Sequence, residues 1–478
     1  MAARFVVDLA RKPTPLPHAW EHTVGSCHAP LGLRADWQEQ LRRSHEELGF
    51  RHVRFHGILS DDVGTVVRHE RALLHSFHNI DVLYDALIDM GVRPFVELSF
   101  MPSAIASGDR MVFRYGANVT PPRRLPYWQA LIRRLAEHWI DRYGRTEVRR
   151  WYFEVWNEPN LEDFWTGTRK DYFDLYRATA RVLEEADPDL RVGGPATAQN
   201  AWIPEFLEFC EREDVPADFV TTHHYPTDVV GGPGEDTEAS LAKVPRGILR
   251  TQALRARREA GQRQLYYTEW NTSADQRDPL HDQPYAAAFV AKTVLDVCDV
   301  VDGYAFWTFS DIFEEKYFPS LPFHGGFGLL TIHGVPKPTY RAFELLHDLG
   351  KERYAVDGDH PTVDAWAVRR GRELTVLLTN HAMPGQPISR QAVRIEIQGA
   401  RTSSGSVIRR IDEEHANPVA AWWAMGAPEY PSPRQVDELI EASEIRAEGV
   451  VSERADGRLG LTVELPAHAV AAITIPAP

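Results

Sequence analysis

Between about residue 20 and residue 350, short runs rich in β-branched and aromatic residues alternate with longer amphipathic stretches, and this alternation leaves few folds open. Strand candidates fall at 22–28, 52–57, 93–100, 150–158, 190–195, 218–225, 264–271 and 303–310. Helix candidates follow them at 36–48, 80–90, 127–143, 172–186, 204–211, 247–260, 285–297 and 340–349. A strand followed by a helix, repeated in this way, predicts an α/β fold of the parallel (β/α)8 barrel type. After Gly350 the alternation stops. Short strands such as 363–368, 373–379, 392–397 and 461–465 are broken by Gly, Pro and Asn and interrupted by a helix at 433–442, the pattern of a small antiparallel β-sandwich. A strand at 5–9 precedes the barrel and is expected to join that sandwich. The expected division is therefore 1–15 for the N-terminal strand, 16–349 for the barrel and 350–478 for the sandwich.

Composition enters through charge and cysteine. The formal charge of −15 opposes a phosphate backbone or an anionic membrane surface, so neither nucleic acid nor membrane is expected as a partner. Cys27, Cys210 and Cys298 are odd in number and far apart, which argues against a disulfide framework or a structural zinc site. The apolar stretch 3–9 is too short for a signal core and Asp8 interrupts it, so a cytoplasmic protein is expected.

In a barrel of this kind the working residues sit at the C-terminal ends of the strands. The fourth strand closes on Asn157 and Glu158, the seventh on Glu269. Either glutamate alone reads more readily as a solvated loop carboxylate or an ion-pair partner. Together, on strand ends three apart around one rim, they are the pair that glycoside hydrolysis needs: one carboxyl protonates the leaving oxygen and the other stabilises or captures the oxocarbenium-like centre. Asn157 is placed to hydrogen-bond a sugar hydroxyl. These considerations leave the two roles exchangeable.

The same segments carry a likeness. Asn157-Glu158-Pro159 closing one strand and Glu269 closing another resembles the large barrel clan of retaining glycosidases, and Trp151-Tyr152-Phe153-Glu154-Val155-Trp156-Asn157-Glu158-Pro159-Asn160-Leu161 resembles glycoside hydrolase family 39. The resemblance extends to 54–64, 93–97, 307–315 and 323–328, and the segment 411–418 resembles the β-xylosidase branch in particular. It implies that Glu158 is the general acid/base and Glu269 the nucleophile of a retaining, exo-acting β-xylosidase. The implied substrates are small xylooligosaccharides, cleaved from the non-reducing end, and the implied reaction needs no cofactor. Arg54, on the second strand, resembles the partner of the nucleophile in this clan; an ion pair with Glu154, which shares parity with Glu158, is the alternative, and the two can coexist.

Four histidines invite a metal reading. At about 3.3 Å per residue, His52 and His56 stand roughly 13 Å apart along a strand, and His223 and His224 point to opposite faces, so no metal site is expected. His56 at the rim, and His223 on the face of Tyr225, are read as sugar-hydroxyl ligands, with packing histidines as the alternative. Phe100 and Trp307 at strand ends are candidate faces for the sugar ring, and Glu314 and Glu315 candidate acceptors. His324, inside a stretch carrying the resemblance, is counted with them. Trp307, Phe313 and Phe318 are the candidate wall closing over C5 of a pentose. The loop 226–236 is acidic and rich in Gly and Pro, where the xylosidase branch tends to be basic and aromatic. The rivals are an α-L-iduronidase, which wants a basic subsite that the rim loops scarcely supply, another β-glycosidase of the same family, and a non-catalytic carbohydrate-binding barrel, which would usually lack one of the glutamates.

Overall fold

A computed structural model describes residues 3–70, 72–400, 405–455 and 458–476, so the outermost ends of the expected first and last segments lie outside the described residues. Its centre is a closed parallel barrel of β1 (Thr23–His28), β2 (His52–His56), β3 (Arg93–Leu98), β4 (Tyr152–Val155), β5 (Arg191–Thr197), β6 (Phe219–His224), β7 (Gln264–Trp270) and β8 (Gly303–Phe306). Each strand pairs with the next, and β8 closes on β1 through Phe306 and Val24. The surrounding helices are α1 (Ala35–Leu48), α2 (His78–Asp89), α3 (Leu125–Tyr143), α4 (Arg169–Ala186), α5 (Ile203–Arg212), α6 (Ile248–Ala260), α7 (Pro284–Val297) and α8 (Pro338–His347).

The helices follow from their periodicity. In α1 the buried residues Trp37, Leu41, Ser44 and Leu48 recur at three- and four-residue spacing, giving one face to the barrel. The helix stops where Gly49 takes the left-handed conformation, φ 77°, and donates its N–H to the His45 carbonyl. At the start of α4, Thr168 and Asp171 cap each other reciprocally. By contrast, α7 is buried nearly all round, because the sandwich covers the face turned away from the barrel.

That sandwich consists of a five-stranded and a seven-stranded sheet enclosing Phe5, Val7, Val376, Leu378, Val393, Ile395, Leu461 and Ile473. The strand Ala3–Asp8 lies in it, as expected, alongside Gln391–Gln398; among the described residues this is the one parallel pair in otherwise antiparallel sheets. A helix at Pro418–Ala424 joins the one at Pro433–Ala442 and was not legible from the strand pattern.

Inside the barrel the side chains stack in layers. At the bottom Phe95, Tyr152, Phe219 and Tyr266 form an aromatic plug, for which Gly193 leaves room, since a Cβ there would sit 2.4 Å from the Phe219 ring. Above it lies an ionic layer, in which Glu97 and Glu154 face each other in register on β3 and β4. The C-terminal rim of the barrel, which carries Glu158 and Glu269, rests on that layer. Among the described residues no helix is long and apolar enough to cross a membrane.

Candidate active site

Strand β2 sends Arg54 and His56 to the same face, two residues apart. The fully buried Arg54 guanidinium donates from Nε to Glu154 Oε2 at 2.6 Å, from Nη1 to Glu269 Oε1 at 2.8 Å and from Nη2 to Asn157 Oδ1 at 2.9 Å. Glu97 Oε2 lies 2.7 Å from the same Nη2. The two partners weighed for Arg54 are therefore both engaged, and Glu97 is a third carboxylate that strand-end reasoning did not pick out. Burial alone would push Glu97 up; Arg54 and the His56 ring, 2.8 Å away, bring it below the ordinary carboxylate value. His56 in turn is pulled down by burial and raised by Glu97, with the net direction upward.

Glu158 sits just past the end of β4, where Trp156 and Glu158 adopt left-handed backbone conformations, φ 73° and 43°. Non-glycine residues in that region carry about 1–3 kcal/mol of strain each and persist only when their surroundings hold them. Here the Glu158 N–H donates to the Ala196 carbonyl at 2.8 Å, Trp156 Nε1 to the Phe164 carbonyl at 2.8 Å, and Asn160 exchanges hydrogen bonds with the backbone of Ala198. The Asn-Glu-Pro-Asn turn is thus stapled to the end of β5.

On β7, strict alternation would send Thr268 and Glu269 to opposite faces. The pairing with β6 instead steps from Thr222 opposite Tyr267 to His223 opposite Glu269, so Thr268 is one residue extra. The bulge lets Thr268 reach Glu154 at 2.8 Å while Glu269 reaches Arg54. Tyr225 Oη donates to the other Glu269 oxygen at 3.1 Å.

Electrostatically the two glutamates differ. Burial pushes Glu158 up to about 7, only partly offset by His56 and Arg54. Glu269 has Arg54 and Tyr225 as direct donors, whereas Glu158 meets His223 Nδ1 at 2.8 Å, and burial holds that ring down to about 4. An oxygen of Glu158, a ring nitrogen of His223 and an oxygen of Glu269 lie within 4.8 Å of one another. This is the closest approach to a metal-ligand set among the described residues, but Glu269 Oε1 already has the Arg54 guanidinium as its cation at 2.8 Å.

Glu158, Glu269, His56, Asn157, His223, Tyr225, Trp307 and Glu315 line one cavity of about 580 Å³ at the C-terminal mouth of the barrel. Glu315 is half-buried in its wall, 3.6 Å from His56, and desolvation pushes its carboxyl up to about 8. Three expected ligands lie elsewhere. Phe100 is fully buried behind His56 and meets Trp156 edge-on; Glu314 faces His28 and Arg114; His324 bonds the Leu321 carbonyl. The expected wall is also corrected. Trp307 lines the cavity, but Phe313 packs behind it and Phe318 is 39% exposed under Arg34; the other aromatic faces come from Phe113, Phe164 and Phe327. Phe113 and Phe164 belong to loops whose folding over the mouth has no periodic signal in the sequence. Trp307 can lie flat against β1 because Gly25 is there: a Cβ would come within 2.5 Å of the indole.

The sequence profile of the glycosyl hydrolases family 39 matches residues 3–460. A protein from Caldicellulosiruptor saccharolyticus named beta-xylosidase is 47% identical over 99% of this chain and 98% of its own. The crystal structure of a monomeric beta-xylosidase from Caulobacter crescentus superposes with a TM-score of 0.87 at 32% identity, covering both chains completely. An α-L-iduronidase from Homo sapiens is 32% identical, but over only 40% of this chain and 29% of its own.

Arg54→Leu would leave three buried carboxylates without their common cation, and breaking such a pair costs on the order of 3–5 kcal/mol; the thermal midpoint should fall sharply. Arg54→Lys keeps the charge, but a single ammonium cannot span four acceptors in the planar geometry of a guanidinium. A folded Arg54→Lys protein should lose kcat/KM by on the order of 10²-fold, as misplaced catalytic groups do. Wild-type kcat/KM in that variant would show that the guanidinium does not position the pair.

Proposed function

The chain belongs to glycosyl hydrolase family 39, and we propose that within it this protein is a retaining, exo-acting β-D-xylosidase that releases xylose from the non-reducing end of short xylooligosaccharides by double displacement. The observation that carries the mechanism is the closeness of the two glutamates, which bring an oxygen of each to within 4.8 Å. An inverting pair stands about 6.5–9.5 Å apart to seat a water, a retaining pair about 5–5.5 Å. On this reading Glu269 attacks the anomeric carbon while Glu158 gives its proton to the leaving glycosidic oxygen. Glu158 then takes a proton from the water that displaces Glu269, and configuration is kept. The pressure of burial on Glu158, holding it near 7, suits a group that must be protonated in one step and ionised in the next.

Exo action is supported by the loops. The Arg114 N–H donates to the Glu315 carbonyl at 2.6 Å and Lys316 Nζ to the Val230 carbonyl at 3.0 Å, so the loops after β3, β6 and β8 are tied across the mouth, where an endo-acting enzyme needs an open groove. The pentose reading is supported by the full-length likeness to proteins named beta-xylosidase and by the aromatic side chains crowding the cavity. For the iduronidase alternative, the cations lining the cavity are Arg114 and Lys316. Both are already engaged, by Glu314 and the Val230 carbonyl. Retention of both glutamates speaks against a purely binding barrel. The catalytic unit on this reading spans 16–349, with 1–15 and 350–478 forming the accessory sandwich. A reducing, cytoplasmic setting agrees with three buried free thiols.

A panel of nitrophenyl glycosides tests the substrate. One added group in a tight pocket costs roughly 10- to 200-fold in kcat/KM, so the β-D-xyloside should exceed the β-D-glucoside by at least about tenfold, and the α-L-iduronide should be inert. Equal or better hydrolysis of the glucoside would remove the xylosidase assignment.

The roles are tested with azide. Glu269→Ala should be inactive alone and yield a glycosyl azide of inverted configuration, because the small anion enters the vacated nucleophile position. Glu158→Ala, given a good leaving group, should still glycosylate Glu269 and yield an azide of retained configuration. Because the acid form of Glu158 is the active one, wild-type kcat/KM should fall as pH rises through about 7, and this limb should be absent from Glu158→Ala. The same azide anomer from both variants would overturn the role assignment.

A further inference from the structure

His223 is more tightly defined than a sugar ligand needs to be. Its Nδ1 lies 2.8 Å from Glu158 Oε1 and its Nε2 lies 3.1 Å from Thr268 Oγ1. Thr268 Oγ1 lies 2.8 Å from Glu154 Oε1, and the second oxygen of Glu154 accepts from Arg54 Nε at 2.6 Å. These contacts determine where the protons are. A hydroxyl has one proton to give, and the Glu154 carboxylate can only accept, so the Thr268 proton points at Glu154. Thr268 Oγ1 then presents a lone pair to His223, and the ring proton must sit on Nε2. Burial holds the ring down to about 4, so at neutral pH it carries a single N–H. Nδ1 is left as an acceptor. The oxygen 2.8 Å from it belongs to Glu158, and that contact is a hydrogen bond only when Glu158 Oε1 holds a proton.

We propose that Glu154, Thr268 and His223 form a directional hydrogen-bond chain that fixes the resting proton on Glu158, making His223 and Thr268 positioning residues for the acid step. The chain rests on the assignment of Glu158 as the acid/base. No proton passes along it: the proton leaves Glu158 for the glycosidic oxygen in the first displacement and returns from water in the second. Between the two, the ionised Glu158 faces the Nδ1 lone pair, an unfavourable contact that strengthens it as a base toward that water.

Other charges face the same groups. Arg54 and His56 on β2, Glu97 on β3, Asp228 after β6 and Glu315 after β8 act on Glu158. Glu269 Oε1 lies 3.7 Å from Nδ1, too far for a hydrogen bond, and accepts from Arg54 instead. Arg54, Glu154 and Glu97 also act on His223, and His224 beside it turns away to Tyr304. None of these supplies or blocks the proton at Nε2; that falls to Thr268, which occupies its place only because of the bulge in β7.

Thr268→Val removes the hydroxyl and keeps the shape. With no acceptor at Nε2, the ring is free to carry its proton on Nδ1 and donate it to ionised Glu158, which favours the charged form. The basic limb of kcat/KM should then move down by about one pH unit, while Thr268→Ser restores the wild-type position. A limb that stays in place in folded Thr268→Val overturns the chain. Should Thr268→Val fail to fold, ¹⁵N-histidine NMR of the wild-type protein decides, with the His223 signals identified by their loss in His223→Gln. An unprotonated Nδ1 with a protonated Nε2 is expected, and a protonated Nδ1 overturns the proposal. The Glu158→Ala profile separates the two levels: a basic limb that persists there refutes the acid/base assignment itself, whereas a limb absent there but unmoved in Thr268→Val refutes the chain alone.

Discussion

One buried guanidinium organises the mouth of the barrel. Arg54 reaches Glu97, Glu154, Glu269 and Asn157 from four different directions, with no exposure to solvent. Removing charges from water costs several kcal/mol per ion, and geometry must return it. The planar fork of arginine suits the arrangement, because its donors diverge in one plane toward strands β3, β4 and β7. The aromatic plug below keeps water from entering underneath, which strengthens every charge interaction above it. The ionic layer is therefore both a structural core and the foundation on which the reactive carboxylates are set.

From that foundation the two glutamates acquire unlike surroundings. Glu269 is held by direct donors, Arg54 and Tyr225. Glu158 stands one step away, on a left-handed turn stapled to β5, buried in the cavity wall against a neutral histidine. On the proposed assignment, chemically identical side chains serve as acid and nucleophile by placement alone, a recurring way for one fold to run both chemistries at a single pH. Both depend on departures from regular structure, since a regular β4 and a regular β7 would each carry a glutamate past the site.

Much of this was legible in the sequence. The strand and helix periods mark the barrel because each element has one face to bury, and the strand ends then point to Glu158, Glu269, His56, His223 and Trp307 by position, while Arg54 came from the family resemblance. What escaped follows from the limits of periodicity. Glu97 looked like one more strand residue, since nothing local distinguishes a carboxylate that will meet an arginine from β2. Thr268 required knowing of a bulge, which is defined by pairing and not by composition. Phe113 and Phe164 close the cavity from loops, while Phe313, Phe318, Glu314 and His324, equally close to strand ends in sequence, are turned elsewhere by loop paths. The parallel pairing of Ala3–Asp8 in the sandwich was hidden for a similar reason: strand direction depends on chain reversal through the entire barrel.

The central claim is that Arg54 and its neighbours set two glutamates at the spacing of a retaining pair. The most direct measurement is a proton NMR time course of xyloside hydrolysis that reads which anomer of xylose forms before mutarotation. The account predicts β-xylose first, with α-xylose appearing only as the sugar equilibrates. The appearance of α-xylose first would mean that water attacks directly, and would contradict it.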